Sequence, residues 1–168
     1  PYAVAAIRLL ILSGARRGEI LSLQWQHVDF EAACLRLPDS KTGAKVIHLT
    51  PAALEILQGL PQIENNPFVI VGLKAGTHLY DLKGAWARVR RQAGLEGVRL
   101  HDLRHSFASM AVGAGLSLPM IGKLLGHTQQ QTTQRYAHLA DDPVKAANEL
   151  VGRRIAEVMN GRDSGEVV

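Results

Sequence analysis

The sequence predicts a mainly α-helical α+β domain that carries one small three-stranded antiparallel sheet. Apolar residues recur at helical spacing over most of the chain. Strand-like runs are confined to the first third, between residues 28 and 49. Gly14, Gly94 and Gly126 each follow such a helical run, where a left-handed residue ends a helix. The 168 residues suffice for one domain with a real core.

Residues 2–12 (YAVAAIRLLIL) are apolar nearly all round and read as a buried helix stopped at Ser13-Gly14. Glu19 to Trp25 reads as a second, short helix. VDFEAACLRL (28–37) holds two strand-like runs around a polar turn. DSKTGAK (39–45) is a further turn, and VIHL (46–49) the third strand. Thr50 caps, and Pro51 opens, the helix AALEILQGL. Beyond a Pro/Asn break at 61–67, FVIV reads as a short extended piece. Tyr80–Ala93 is an amphipathic helix, and HDLRHSFASMAVGAG (101–115) another, with Leu103, Phe107 and Met110–Ala111 on its inner face. Ser117–Leu125 is a short helix, 128–137 a polar turn or helix, and 143–159 a last helix. On that last helix Val144, Ala147, Val151, Ile155 and Val158 form an apolar stripe, and Asp141-Asp142-Pro143 before it reads as a hinge.

Net charge is +4, unevenly spread: residues 1–140 hold 15 Lys/Arg against 9 Asp/Glu, and 141–168 hold 4 against 6. Lys83, Arg88, Arg90, Arg91, Arg99 and Arg104 crowd one stretch, opposed by Glu96 and Asp102, which suits either a solvated helix face or a surface for phosphates. No apolar run approaches the roughly 18–20 residues of a membrane span, so the expectation is a cytoplasmic protein with no membrane partner. Cys34, the one cysteine, excludes an internal disulfide and reads as packing. The start at Pro1 rather than a methionine reads as an excerpt of a longer chain.

Strong donors stand at the breaks between elements. Arg16 in SGARRGEI follows a glycine turn, and Glu19, three residues on, can hold its guanidinium; a capped helix start is the plain alternative. His101, Arg104 and His105 share one helix face. Two histidines four apart suit a metal, but Asp102 replaces the expected glutamate and Arg104 between them repels a cation, so no metal is expected. Donation to an anion fits better, because the arginine fork engages two phosphate oxygens together; His105 reads as a hydrogen-bonded core residue. His127 in LLGH and Tyr136 nine residues later add a further donor and a hydroxyl able to attack phosphorus.

Taken together, the ordered set resembles the tyrosine recombinase (phage integrase) family over residues 2–159. The matching pieces are Arg16 in GARRGEI, Lys41 in DSKTGAKVIHL, His101 and Arg104 in HDLRH, His127 in LLGH and Tyr136 in TTQRYAHL. The resemblance implies that family's catalytic-domain fold over 1–160, with 143–159 as a helix exchanged between protomers and 161–168 as a tail. An amino-terminal core-binding domain is expected outside this chain. It implies a site-specific recombinase, of phage or prophage type and encoded by a bacterium or a phage, that cleaves and rejoins DNA through a 3′-phosphotyrosine. Arg16, Arg104 and His127 would stabilise charge on phosphate, His101 would assist Tyr136, and Lys41 would protonate the leaving 5′-oxygen, with Lys45 in the same turn as its competitor. Lys45, Lys83, Arg88, Arg90, Arg91 and Arg99 are the candidate DNA contacts. The implied partners are double-stranded DNA and further copies of the chain, a tetramer of the full-length protein on DNA, with room for accessory DNA-bending proteins. No cofactor is implied, and neither a GxxxxGK[ST] loop nor Cys/His finger spacing is present. The competing readings are a type IB topoisomerase and a non-catalytic helical DNA-binding module.

Overall fold

The computed structural model describes residues 1–38, 43–127, 131–139 and 143–161. Helix α1 (Tyr2–Ser13) buries Ala5, Ala6, Ile7, Leu9 and Leu10 and leaves a narrow exposed line at Val4, Arg8 and Ile11. Helix α2 is Arg17–Leu21, earlier than the expected 19–25. Its start is fixed by the Glu19 carboxylate, which accepts from the Arg16 backbone N–H at 2.8 Å, and Trp25 instead opens a 3-10 turn, Trp25–His27.

Strands β1 (Val28–Asp29), β2 (Cys34–Leu37) and β3 (Lys45–His48) form the antiparallel sheet in that order. Leu35 pairs with Ile47 and Leu37 with Lys45, and Leu35, Leu37 and Ile47 are buried. Because β3 begins at Lys45 and side chains alternate, Lys45 lies on the same inward face as Ile47. Thr50 accepts from the Ala53 N–H and starts α3 (Pro51–Gln58) as expected. The FVIV segment, read as extended, bends at Val69 and Ile70 and contributes isolated bridges, Gln24 with Phe68 and Val71 with His78.

Helix α4 (Lys83–Ala93) starts three residues later than expected, where Asp81 accepts from the Lys83 N–H, and closes at left-handed Gly94. Helix α5 (Asp102–Gly113) corrects the sequence reading of its inner face. Arg104, Ala108 and Val112 are the buried residues, while Met110 is 76% exposed; Leu103, Phe107 and Ala111 are partly buried. The face is rotated because Gly14 O and Leu125 O, at the ends of two neighbouring helices, accept from the Arg104 guanidinium. Helices α6 (Leu118–Leu125) and α7 (Gln131–Gln134), a 3-10 turn (Ala137–Leu139) and α8 (Pro143–Gly161) complete the described elements.

Two apolar clusters hold the fold. The larger joins α1, α2, the sheet, α3 and Trp86 of α4; Cys34 is buried beside it. The smaller lies between α5 and α6 and contains Ala108, Val112, Ile121, Leu125 and the ring of Tyr136. Arg104 sits at the seam between them. No described helix is long and apolar enough to cross a membrane.

Candidate active site

Two helix ends build the site. Gly14 closes α1 and Gly126 closes α6, both left-handed, with φ of 61° and 66°. A Cβ at Gly14 would meet Phe107 Cδ1 at 2.6 Å, so Gly14 serves close approach as well as φ; at Gly126 a Cβ would meet the flexible end of Lys45, and the left-handed φ is what calls for glycine. These caps aim carbonyl groups, the negative ends of two helix dipoles, at one point. The Arg104 guanidinium occupies it, donating through Nη1 to Gly14 O and through Nη2 to Leu125 O at 2.7 Å.

Arg16 and Lys45 flank Arg104. Arg16 Nη1 lies 2.9 Å from Glu19 Oε1, and its Nη2 donates to Gly126 O at 3.3 Å. Lys45 Nζ lies 3.0 Å from Glu19 Oε2 and donates to Leu125 O at 3.1 Å. Burial pushes the Glu19 carboxyl upward, but the Arg16 N–H and the Lys45 ammonium outweigh it and hold the group below its ordinary value. Burial lowers Lys45, only partly offset by Glu19, and the Arg104 and Arg16 charges act in the same direction as burial. Among the described residues, two cations therefore pair with one carboxylate while Arg104 stands beside them on carbonyl oxygens, and the surplus is positive.

His127 registers that surplus. Its Nδ1 is 2.9 Å from Oγ1 of buried Thr133, and burial together with Arg104, Arg16, Lys45 and Arg135 pushes it down to about 4. Tyr136 is 5% exposed and its Oη lies 2.5 Å from His105 Nδ1. Burial raises the phenol, with Arg135 and Arg104 opposing, so the hydroxyl keeps its proton at neutral pH. His101 stands exposed at the start of α5, its ring edge-on to His105 with centroids 5.1 Å apart. It lines a cavity of about 260 Å³ with Leu10, Ala15, Arg17, Leu100, Leu103 and Arg104.

Arg16, Glu19, His101, Arg104, His127 and Tyr136 are thus brought to one region, and Lys41 lies outside the described residues. Lys45 belongs to this region too; its side chain is 6% exposed and ion-paired, so it is not on the outer surface. Lys83, Arg88 and Arg91 are exposed along α4. Arg90 instead donates to Glu96 O and Val98 O and holds the loop after α4, and Arg99 pairs with Asp102 at 2.9 Å. The sequence reading passed over Arg17, which lines both this cavity and a neighbouring one with Lys83, Trp86 and Arg90. Its adjacency to Arg16 was the available signal. The carbonyls of Gly14, Leu125 and Gly126 were also missed, since only the glycines themselves show in the sequence.

Helices packed around a small meander, with cationic side chains gathered at helix ends beside a late tyrosine, define the tyrosine recombinase catalytic-domain fold. The model of the Phage integrase family matches residues 2–142, and the chain belongs to that family. It is 30% identical over 141 residues to prophage integrase IntF of Escherichia coli (strain K12), covering 81% of this chain and 30% of that protein. It is 32% identical over 145 residues to tyrosine recombinase XerA of Saccharolobus solfataricus, covering 83% and 46%. The chain therefore spans less than half of either relative. Among solved structures, the catalytic domain of bacteriophage HP1 integrase superposes with a TM-score of 0.64 at 23% identity, covering 86% of this chain and 79% of that one. XerH site-specific recombinase bound to difH substrate gives 0.70 at 23% identity, covering 87% and 45%. These last two likenesses are of fold.

Proposed function

We propose that this chain is the catalytic domain of a site-specific DNA recombinase in which Tyr136 attacks a phosphodiester and holds the strand as a 3′-phosphotyrosine. The observation that carries the reading is the tyrosine hydroxyl lying within electrostatic range of Arg104, in a site where Arg16 and Lys45 share a single carboxylate and Arg104 bonds helix-end carbonyls beside them. A phosphate would complete that charge balance. Attack on phosphorus builds negative charge on the non-bridging oxygens, and Arg16, Arg104 and His127 are the donors for it. His101, exposed beside the cavity, adds a donor. Lys41 is the general acid for the leaving 5′-oxygen, a role open to it because Lys45 is already engaged by Glu19 and Leu125 O.

Double-stranded DNA is the substrate in this reading, and Lys83, Arg88, Arg91 and Arg17 are the cations best exposed or placed to meet its backbone. Family membership supports it, as do fold relatives solved in complex with transposon right end DNA and bound to difH substrate. Helix α8 serves assembly. Leu150, Val151, Ile155 and Met159 are exposed on it, an apolar surface suited to a neighbouring protomer in a tetramer on DNA. The side chains of Val144, Ala147 and Val158, and Asp141 and Asp142 of the expected hinge, lie outside the described ones.

The test uses the 168-residue chain with a pool of randomised, nicked duplexes. The expected result is an SDS-stable protein–DNA adduct whose phosphopeptide maps to Tyr136 and which Tyr136→Phe abolishes while DNA binding persists. An adduct at another residue, or one of normal yield from the phenylalanine variant, overturns the nucleophile. Binding without any adduct favours a non-catalytic module.

A further inference from the structure

We propose that His105, the residue after the arginine of the His-x-x-Arg box, is the proton acceptor for Tyr136. This rests on Tyr136 being the nucleophile, as above. His105 Nδ1 is 2.5 Å from Tyr136 Oη, and the two rings lie 5.8 Å apart at 49°. Among the described hydrogen bonds, that is the one the phenol oxygen makes. His101 is at the exposed start of the same helix, facing the cavity it shares with Arg17 and Arg104. It is placed for a phosphate oxygen rather than for the phenol.

The helix explains why one box can do both jobs. Consecutive residues of an α-helix point about 100° apart. Arg104 turns into the seam between α1 and α6, and His105 turns toward the segment that follows α7. Both ride on one rigid element, so phosphate receptor and proton acceptor keep a fixed relation, which positioned catalysis requires. The protonation states agree. Burial, then His101 and Arg135, lower His105 below the ordinary imidazole value, with Asp102 opposing and Arg99 adding to the lowering. The ring is neutral at pH 7 and, with its proton on Nε2, presents a lone pair at Nδ1 to the phenol.

As Oη bonds to phosphorus and the bond from phosphorus to the 5′-oxygen breaks, the phenol proton passes to His105 Nδ1. The 5′-oxygen leaves with a proton from the general acid. In rejoining, the imidazolium returns its proton to Tyr136.

The experiment measures single-turnover attachment against pH for the parent chain and for His105→Asn, His105→Leu and His101→Asn. The substrates are a nicked duplex recovered as above and the same duplex with sulfur replacing the 5′-bridging oxygen. Asn can still accept a hydrogen bond but not a proton, and so remains informative if the leucine variant does not fold. The expected result for His105→Asn is attachment slower by about 100-fold or more. The sulfur leaving group should not restore it, because the defect is in the nucleophile. The parent rate should fall at acid pH with a midpoint below the ordinary imidazole value of about 6.5, since burial, then His101 and Arg135, lower His105, and this limb should vanish in His105→Asn and persist in His101→Asn. The assignment is overturned if His105→Asn stays within a few-fold of the parent with its limb intact, if sulfur restores it, or if the limb disappears with His101 instead. A parent without a Tyr136-dependent adduct overturns the underlying reading, and this inference with it.

Discussion

Lys45 Nζ lies 3.0 Å from Glu19 Oε2, with both side chains less than a tenth exposed although they are 26 positions apart. Glu19 also holds Arg16, so one carboxylate fixes two cations in a largely buried site. Glu19→Gln should destabilise the fold by about 3–5 kcal/mol, the usual cost of removing one partner of a buried pair. Urea unfolding measures it. The carboxyl's folded value is lowered, so its contribution is present above pH 4.5 and is lost as pH falls through the folded value. The difference in stability between parent and variant should therefore shrink below pH 4.5.

Arg104→Lys should reduce covalent attachment by about 10²–10³-fold, although the charge is kept. The guanidinium reaches Gly14 O and Leu125 O together, and a single ammonium cannot reproduce that fork. A lysine variant with near-parental attachment would show that Arg104 supplies only charge.

His127 offers a direct reading of the field. Its imidazole, pushed down to about 4, is neutral at pH 7 because burial and the surrounding cations disfavour a further positive charge. An anion seated among Arg16, Lys45 and Arg104 reverses the electrostatic part of that effect. Adding inorganic phosphate or duplex DNA should raise the His127 value by about one unit or more in an NMR titration of the ring. No movement at saturation would place the anion elsewhere.

Deleting residues 143–168 removes α8 with its exposed Leu150, Val151, Ile155 and Met159. Monomer stability should change little, because these side chains are largely exposed in the monomer. Protomer association on DNA should weaken, seen by sedimentation of the complexes. A truncated chain that assembles and cleaves full-site DNA like the parent would end the exchange reading of α8.

Helix positions were legible because each sequence signal is local. Thr50-Pro51, Gly94 and Gly126 mark the ends that the structure shows, since caps depend on neighbours a few residues away. The start of α2 was misplaced because the Glu19 carboxylate bonds backward to Arg16, which ordinary apolar spacing does not register. Arg16, His101, Arg104, His127 and Tyr136 could be read as a set because their residue types and order carry chemistry.

What they touch could not be read in the same way. From the residues alone came a helical domain with a three-stranded sheet, and Arg16, Glu19, His101, Arg104, His127 and Tyr136 as candidates for one site. Tertiary structure decided that α5 turns Arg104 inward rather than Met110, that Lys45 is buried against Glu19, and that His105 meets Tyr136. Periodicity reports only how one element divides between inside and outside. The bonds that define this site join residues 31, 80 and 90 positions apart; those to Gly14 O and Leu125 O form because two helix ends leave carbonyls that buried Arg104 and Lys45 satisfy.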